Sequence, residues 1–227
     1  MAEKGVIVEF DFAVMDGSRL LYDTTVGFLR DLDGIGLDVR SEARYLQGNE
    51  LQAGLQKLFA AVKTKKTAAK ASRDLHETYM AALAAAMPAT LGSAFRNFVR
   101  ILSENGVRVV IATRADIQSE TVLTAFADVL GEKVALYQEP SAFYGTMPWQ
   151  SWRLAAARNR LSRGSALAIT GSGDGVRTAL LAGMGALAVE SDRVAHHDFG
   201  GADAVVRTLD SAAAKKVLKL LRVATGR

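Results

Sequence analysis

The chain has 227 residues, 49% of them hydrophobic and 23% charged, with a formal net charge of +4. That length allows a large core and a smaller second module, and no apolar run reaches the roughly 18 residues a membrane helix needs. Without cysteine there are no disulfides or thiolate metal sites, and the N-terminus lacks the basic and apolar stretches of a secretory leader, so a cytoplasmic protein is expected.

In chain order, residues 5–10, with Lys4 before them, form a compact β-branched run that reads as a first buried strand. Segments 41–62 and 70–86 follow with helical spacing, rich in Ala, Leu, Glu, Gln and Lys. The pattern then predicts a helix over 92–105 ending in Asn-Gly, a strand over 107–112, and another over 134–137. A strand over 165–170 runs into G-S-G-D-G, starting at Gly171, and a helical A-L-L-A-G. Strands over 185–189 and, at an edge, 204–206 complete the series. The tail is an amphipathic helix with Val217, Leu218, Leu220 and Leu221 as its apolar stripe. Strands apolar on both faces, alternating with helices, predict an α/β fold with a doubly wound, Rossmann-like parallel sheet.

Residues 4–17 read K-G-V-I-V-E-F-D-F-A-V-M-D-G. This resembles, without a gap, the opening motif of the haloacid dehalogenase (HAD) superfamily of phosphatases, a strand followed by D-x-D-G-[TV]-L-x-D-[ST]. On that resemblance the nucleophilic Asp falls on Glu9, the second acid on Asp11, and the following Gly on Phe12. V-V-I-A-T supplies the strand-ending Thr of the second motif as Thr113. M-P-W-Q-S-W-R-L-A-A-A aligns with the third motif and puts Met147 where its Lys belongs. T-G-S-G-D-G-V-R aligns with the fourth and puts Gly171 at the magnesium-binding Asp, while G-G-A-D-A-V-V (200–206) resembles the terminal strand. The resemblance implies a core of 1–17 and 88–227, with 18–87 inserted as a helical cap over the active site.

The frame is kept while three of its four chemical groups are replaced. In a working member an Asp attacks phosphorus while a metal and a Lys screen the charge. Glu9 pushes its oxygens outward by roughly an ångström, and such misplacement costs on the order of 10²-fold in rate. Met147 supplies no charge, and losing one electrostatic stabiliser costs about 10²- to 10³-fold. Gly171 supplies no ligand for magnesium, which requires carboxylate oxygens and near-octahedral geometry.

The leading expectation is therefore a pseudophosphatase, inactive or strongly impaired, acting in binding or regulation. The alternative is an active hydrolase of a small phosphorylated metabolite with a displaced magnesium site at Glu9, Asp11 and Asp174. In that alternative Asp11 is the general acid, and Phe12, Thr113 and Arg114 line the substrate site, Arg114 replacing the lost cation better than Arg153 does. The cofactor is magnesium or none. The competing expectations are that Asp174 caps the helix after it and that Phe12 fills the vacated pocket. Trp149 and Trp152 read as a packed helix start. Restoring Asp, Gly, Lys and Asp at positions 9, 12, 147 and 171 together is expected to regain partial activity if the pocket is otherwise intact.

Two basic stretches, Lys63, Lys65, Lys66, Lys70 and Arg73, then Lys215, Lys216, Lys219 and Arg222, read as solvated faces. An unidentified protein or a small phosphorylated ligand is the expected partner. Nucleic acid is not expected, because neither stretch is interleaved with aromatics. His196-His197 lacks an acid at helical ligand spacing and is not expected to bind metal.

Overall fold

Six strands form one parallel sheet in the computed structural model, which describes residues 3–140, 144–190 and 198–223. They are β1 (Glu3–Glu9), β2 (Arg108–Thr113), β3 (Val134–Gln138), β4 (Leu161–Thr170), β5 (Gly185–Val189) and β6 (Ala204–Val206), in the order β3-β2-β1-β4-β5-β6. This is the doubly wound sheet expected from the apolar runs. The order reverses at β1, and in such sheets a crevice opens beyond the carboxyl ends of the strands at that point. Glu9 stands in register with Ala112 of β2, and Val8 with Ile169 of β4. Glu9, Thr113 and Thr170 therefore end three adjacent strands.

Successive side chains alternate between the two faces of the sheet. Val6, Val8, Val109, Ile111, Leu167, Ile169, Leu187 and Val189 join one buried cluster with Phe95, Phe98, Val99 and Leu102 of α6 (Ser93–Glu104). Ala213, Ala214, Val217 and Leu221 of α10 (Ser211–Val223) belong to the same cluster. The opposite face offers Ile7 and Val110 among small residues, Ala112, Ala166, Ala168, Ala186 and Ala188, to Trp152 of α8 (Trp149–Arg158) and Val176 of α9 (Gly173–Leu181). The buried stripe of α10 lies a turn earlier than its leucines imply, and Leu218 and Leu220 are only half-buried.

Between β1 and α6 come α1 (Phe10–Ala13), α2 (Gly17–Asp33), α3 (Val39–Tyr45), α4 (Leu51–Val62) and α5 (Ala68–Thr90). Helix α2 lies outside the helical segments read from the sequence, although its buried Leu21, Thr25 and Leu29 recur four residues apart. Its limits are set by Asp16, which caps the Arg19 N–H at 3.3 Å, and by Gly34 in the left-handed region at φ 62°. Residues 46–50 split the expected 41–62 segment into α3 and α4. Helix α5 runs through Pro88, past the boundary read from the sequence; the proline has no N–H for the carbonyl four residues back, and the helix ends two residues later at Thr90. Helix α7 (Glu120–Phe126) lies between β2 and β3. The lysines of both basic stretches are exposed, and His196-His197 falls outside the described residues. No helix among the described residues is long and apolar enough to cross a membrane.

Candidate functional site

The carboxyl ends of β1, β2 and β4 bring Glu9, Asp11, Thr113 and Arg114 together, all buried. Glu9 spends both carboxylate oxygens inside the protein. Its Oε1 accepts from the Met147 backbone N–H at 2.8 Å, and its Oε2 meets the Thr170 hydroxyl at 2.5 Å. Burial pushes the Glu9 pKa up to about 7, although the Arg114 cation and the Thr170 hydrogen bond pull the other way. The Thr170 hydroxyl can donate or accept, so this contact survives protonation of Glu9.

Asp11, in the single turn of α1, is just as enclosed. Its Oδ1 accepts from Thr113 Oγ1 at 2.6 Å and its Oδ2 from the Arg114 backbone N–H at 2.8 Å. The Arg114 guanidinium pairs with Oδ2 at 3.6 Å, donates to the Thr146 carbonyl at 2.7 Å, and lies 5.1 Å above the Phe12 ring. Burial raises the Asp11 pKa, while Arg114 and Thr113 oppose it. Burial works against the Arg114 charge, and Asp11 and Glu9 outweigh it. Arg114 is thus the cation of this site, whereas Arg153 lies on the surface over Trp149.

Met147 takes the Lys position of the resembled motif but sends its side chain into the apolar cluster on the α8 and α9 face, fully buried. Its backbone holds Glu9 on one side, and its carbonyl accepts from the Thr178 hydroxyl at 2.7 Å. Phe12 is 5% exposed, and its own carbonyl closes the space beside Gly171. A Cβ added at Gly171 would fall 1.9 Å from Phe12 O. No side chain fits at position 171 while the β1–α1 turn keeps this path.

The structure corrects the reading of Asp174 as the cap of the helix after it. The cap of α9 is Ser172, whose hydroxyl accepts from Gly175 N–H at 2.9 Å. Asp174 sits in the first turn, pairs with Arg177, and lines a cleft with Ser18, Glu42, Gln47, Gly48 and Tyr144 whose walls include neither Glu9 nor Asp11. Trp152 is buried and donates from Nε1 to Thr178 Oγ1 at 3.0 Å, while Trp149 remains 36% exposed.

A magnesium ion does not fit this donor set. Both Glu9 oxygens already meet donors, position 171 holds no carboxylate, and Asp174 is drawn to Arg177. Among the described residues no three acidic or histidine side chains are grouped to hold a metal. Thr170 and Thr146 belong to the site, and motif matching passes over both. Thr170 was legible as a polar residue ending a buried strand; Thr146 contributes only a backbone carbonyl and leaves no signal.

The fold is an α/β fold of the haloacid dehalogenase type, as its similarity to solved structures shows. The chain is similar over 99% of its length to all of the β-phosphoglucomutase from Clostridium difficile, with a TM-score of 0.70 at 10% identity. A family IA, variant 3 HAD hydrolase from Entamoeba histolytica shares 13% identity at a TM-score of 0.70, covering 96% of this chain and 99% of that one. CbbY from Rhodobacter sphaeroides, in complex with phosphate, shares 16% identity at a TM-score of 0.64, covering 93% and 96%. At these identities the likeness establishes the fold. No protein-family model and no curated protein matches the sequence.

Proposed function

We propose that the protein is a pseudophosphatase: a HAD-type fold whose catalytic centre has become a structural core, with its function in binding or regulation. The observation that carries this reading is the closure of Glu9. In-line attack needs an open path from the carboxylate to the substrate, and Glu9 is 1% exposed with each oxygen held by a protein donor. Asp11 is 1% exposed and held by Thr113 and Arg114, so it has no open path to protonate a leaving group. Phe12 fills the space in which backbone would cradle phosphate. In this reading α2 to α5 form the cap expected over 18–87, retained as a packed lid.

The test is turnover of p-nitrophenyl phosphate with magnesium. We expect no rate above the buffer blank. A rate that Glu9→Gln or Asp11→Asn abolishes would overturn the proposal in favour of a hydrolase of a small phosphorylated metabolite.

A further inference from the structure

A basic surface runs along α8 to the start of β4. Helix α8 and the start of β4 carry Arg153, Arg158, Arg160 and Arg163, all exposed. The sequence has no Asp or Glu between Glu139 and Asp174, and none of the four arginines has a carboxylate partner among the described residues. Removing these four from the 28 Lys and Arg leaves 24, against 24 Asp and Glu, so the chain's excess charge equals that of this surface. The carboxylate of Glu3, whose residue pairs in register with Leu161, is occupied by Lys133 and Arg108.

The arginines surround apolar surface. An open groove between α8 and β4 is walled by Trp149, Arg153, Leu154, Ala157, Leu161 and Arg163. Trp149 and Leu154 are 36% and 38% exposed. The Arg153 guanidinium lies 5.4 Å over the Trp149 ring, and Arg158 lies 5.9 Å over Tyr137. A stacked guanidinium is pre-oriented, so it loses less freedom when it meets a carboxylate through two parallel N–H donors.

We infer that this groove docks an acidic segment of a partner protein, one that also bears large apolar side chains. The carboxylates meet Arg153 and Arg163, and the apolar side chains cover Leu154, Ala157 and Leu161. Trp and Arg are the residue types that most often anchor such interfaces. A single-stranded nucleic acid would need a free ring for base stacking, but Arg153 already lies over Trp149. The apolar floor also gives phosphates no partner. This docking site stands whether or not the Glu9 cleft turns over a substrate.

The test is selection of short random peptides on the immobilised full chain, with depletion on the Arg153→Glu/Arg163→Glu double variant. Both positions are exposed, so the variant is expected to melt like the parent. Enriched peptides should combine Asp or Glu with Leu, Phe or Trp. The best of them, labelled with fluorescein, should bind the parent at least about tenfold tighter than the double variant, and more weakly as salt rises. Trp149→Ala should weaken the same peptide by about tenfold without changing its salt dependence. Absence of enrichment, equal binding to the double variant, or tighter binding of an oligouridylate than of any peptide would each overturn the inference.

Discussion

Glu9 is the residue at which burial and charge compete most directly. In the unfolded chain its carboxyl ionises near 4.5, and in the fold near 7. The folded state therefore keeps the proton over the window in which the unfolded state releases it. The stability this supplies is fully present below about pH 4.5 and is lost as pH rises through about 7. Ionising the buried group costs on the order of 3 kcal/mol above that window. Glutamine has the same shape and can accept from Met147 N–H while donating to Thr170 Oγ1. Glu9→Gln is thus expected to melt higher than the parent at pH 8 and with it near pH 4.5. Parallel melting profiles across that range would show that Glu9 does not titrate there.

At the scale of elements, the decisive contact is between the β1–α1 turn and the β4–α9 loop. Phe12 O occupies the position of a Cβ at residue 171, so Gly171→Ala forces backbone apart. We expect a loss of roughly 1–3 kcal/mol, since overpacking a close-packed site costs about that much, measured by urea denaturation. Gly171→Asp carries the same Cβ, and Phe12→Gly leaves the obstructing carbonyl in place. The fourfold restoration of Asp, Gly, Lys and Asp is therefore expected to yield destabilised protein without phosphatase activity, reversing the expectation drawn from the sequence. The motif frame, read letter by letter, located Glu9, Asp11, Thr113 and Met147 at the site. It could not locate the Phe12 carbonyl, because a backbone path in three dimensions has no letter. For the same reason Asp174 looked available to Glu9: proximity in the loop was visible, but the pull of Arg177 and the cap at Ser172 depend on where the helix starts.

At the scale of the whole molecule, the parallel sheet was legible because each strand is a short apolar run between helical segments. Helix α2 was passed over although Leu21, Thr25 and Leu29 carry helical spacing, because polar residues between them, Asp23 and Thr24 among others, thin the apolar stripe. The sheet also joins distant parts of the chain: the partners of Glu9 lie 138 and 161 residues further along. During synthesis β1 therefore emerges long before Met147 and Thr170 exist to receive it. In that interval Val6, Ile7 and Val8 form an exposed apolar segment of the kind that aggregates, flanked by Lys4 and by Glu9, which is ionised at neutral pH in an open chain. The carboxylate that penalises the finished fold thus acts as a gatekeeper for the unfinished one. Glu9→Gln should accordingly refold from denaturant at pH 8 with more light scattering and a lower yield than the parent, although its native state is the more stable.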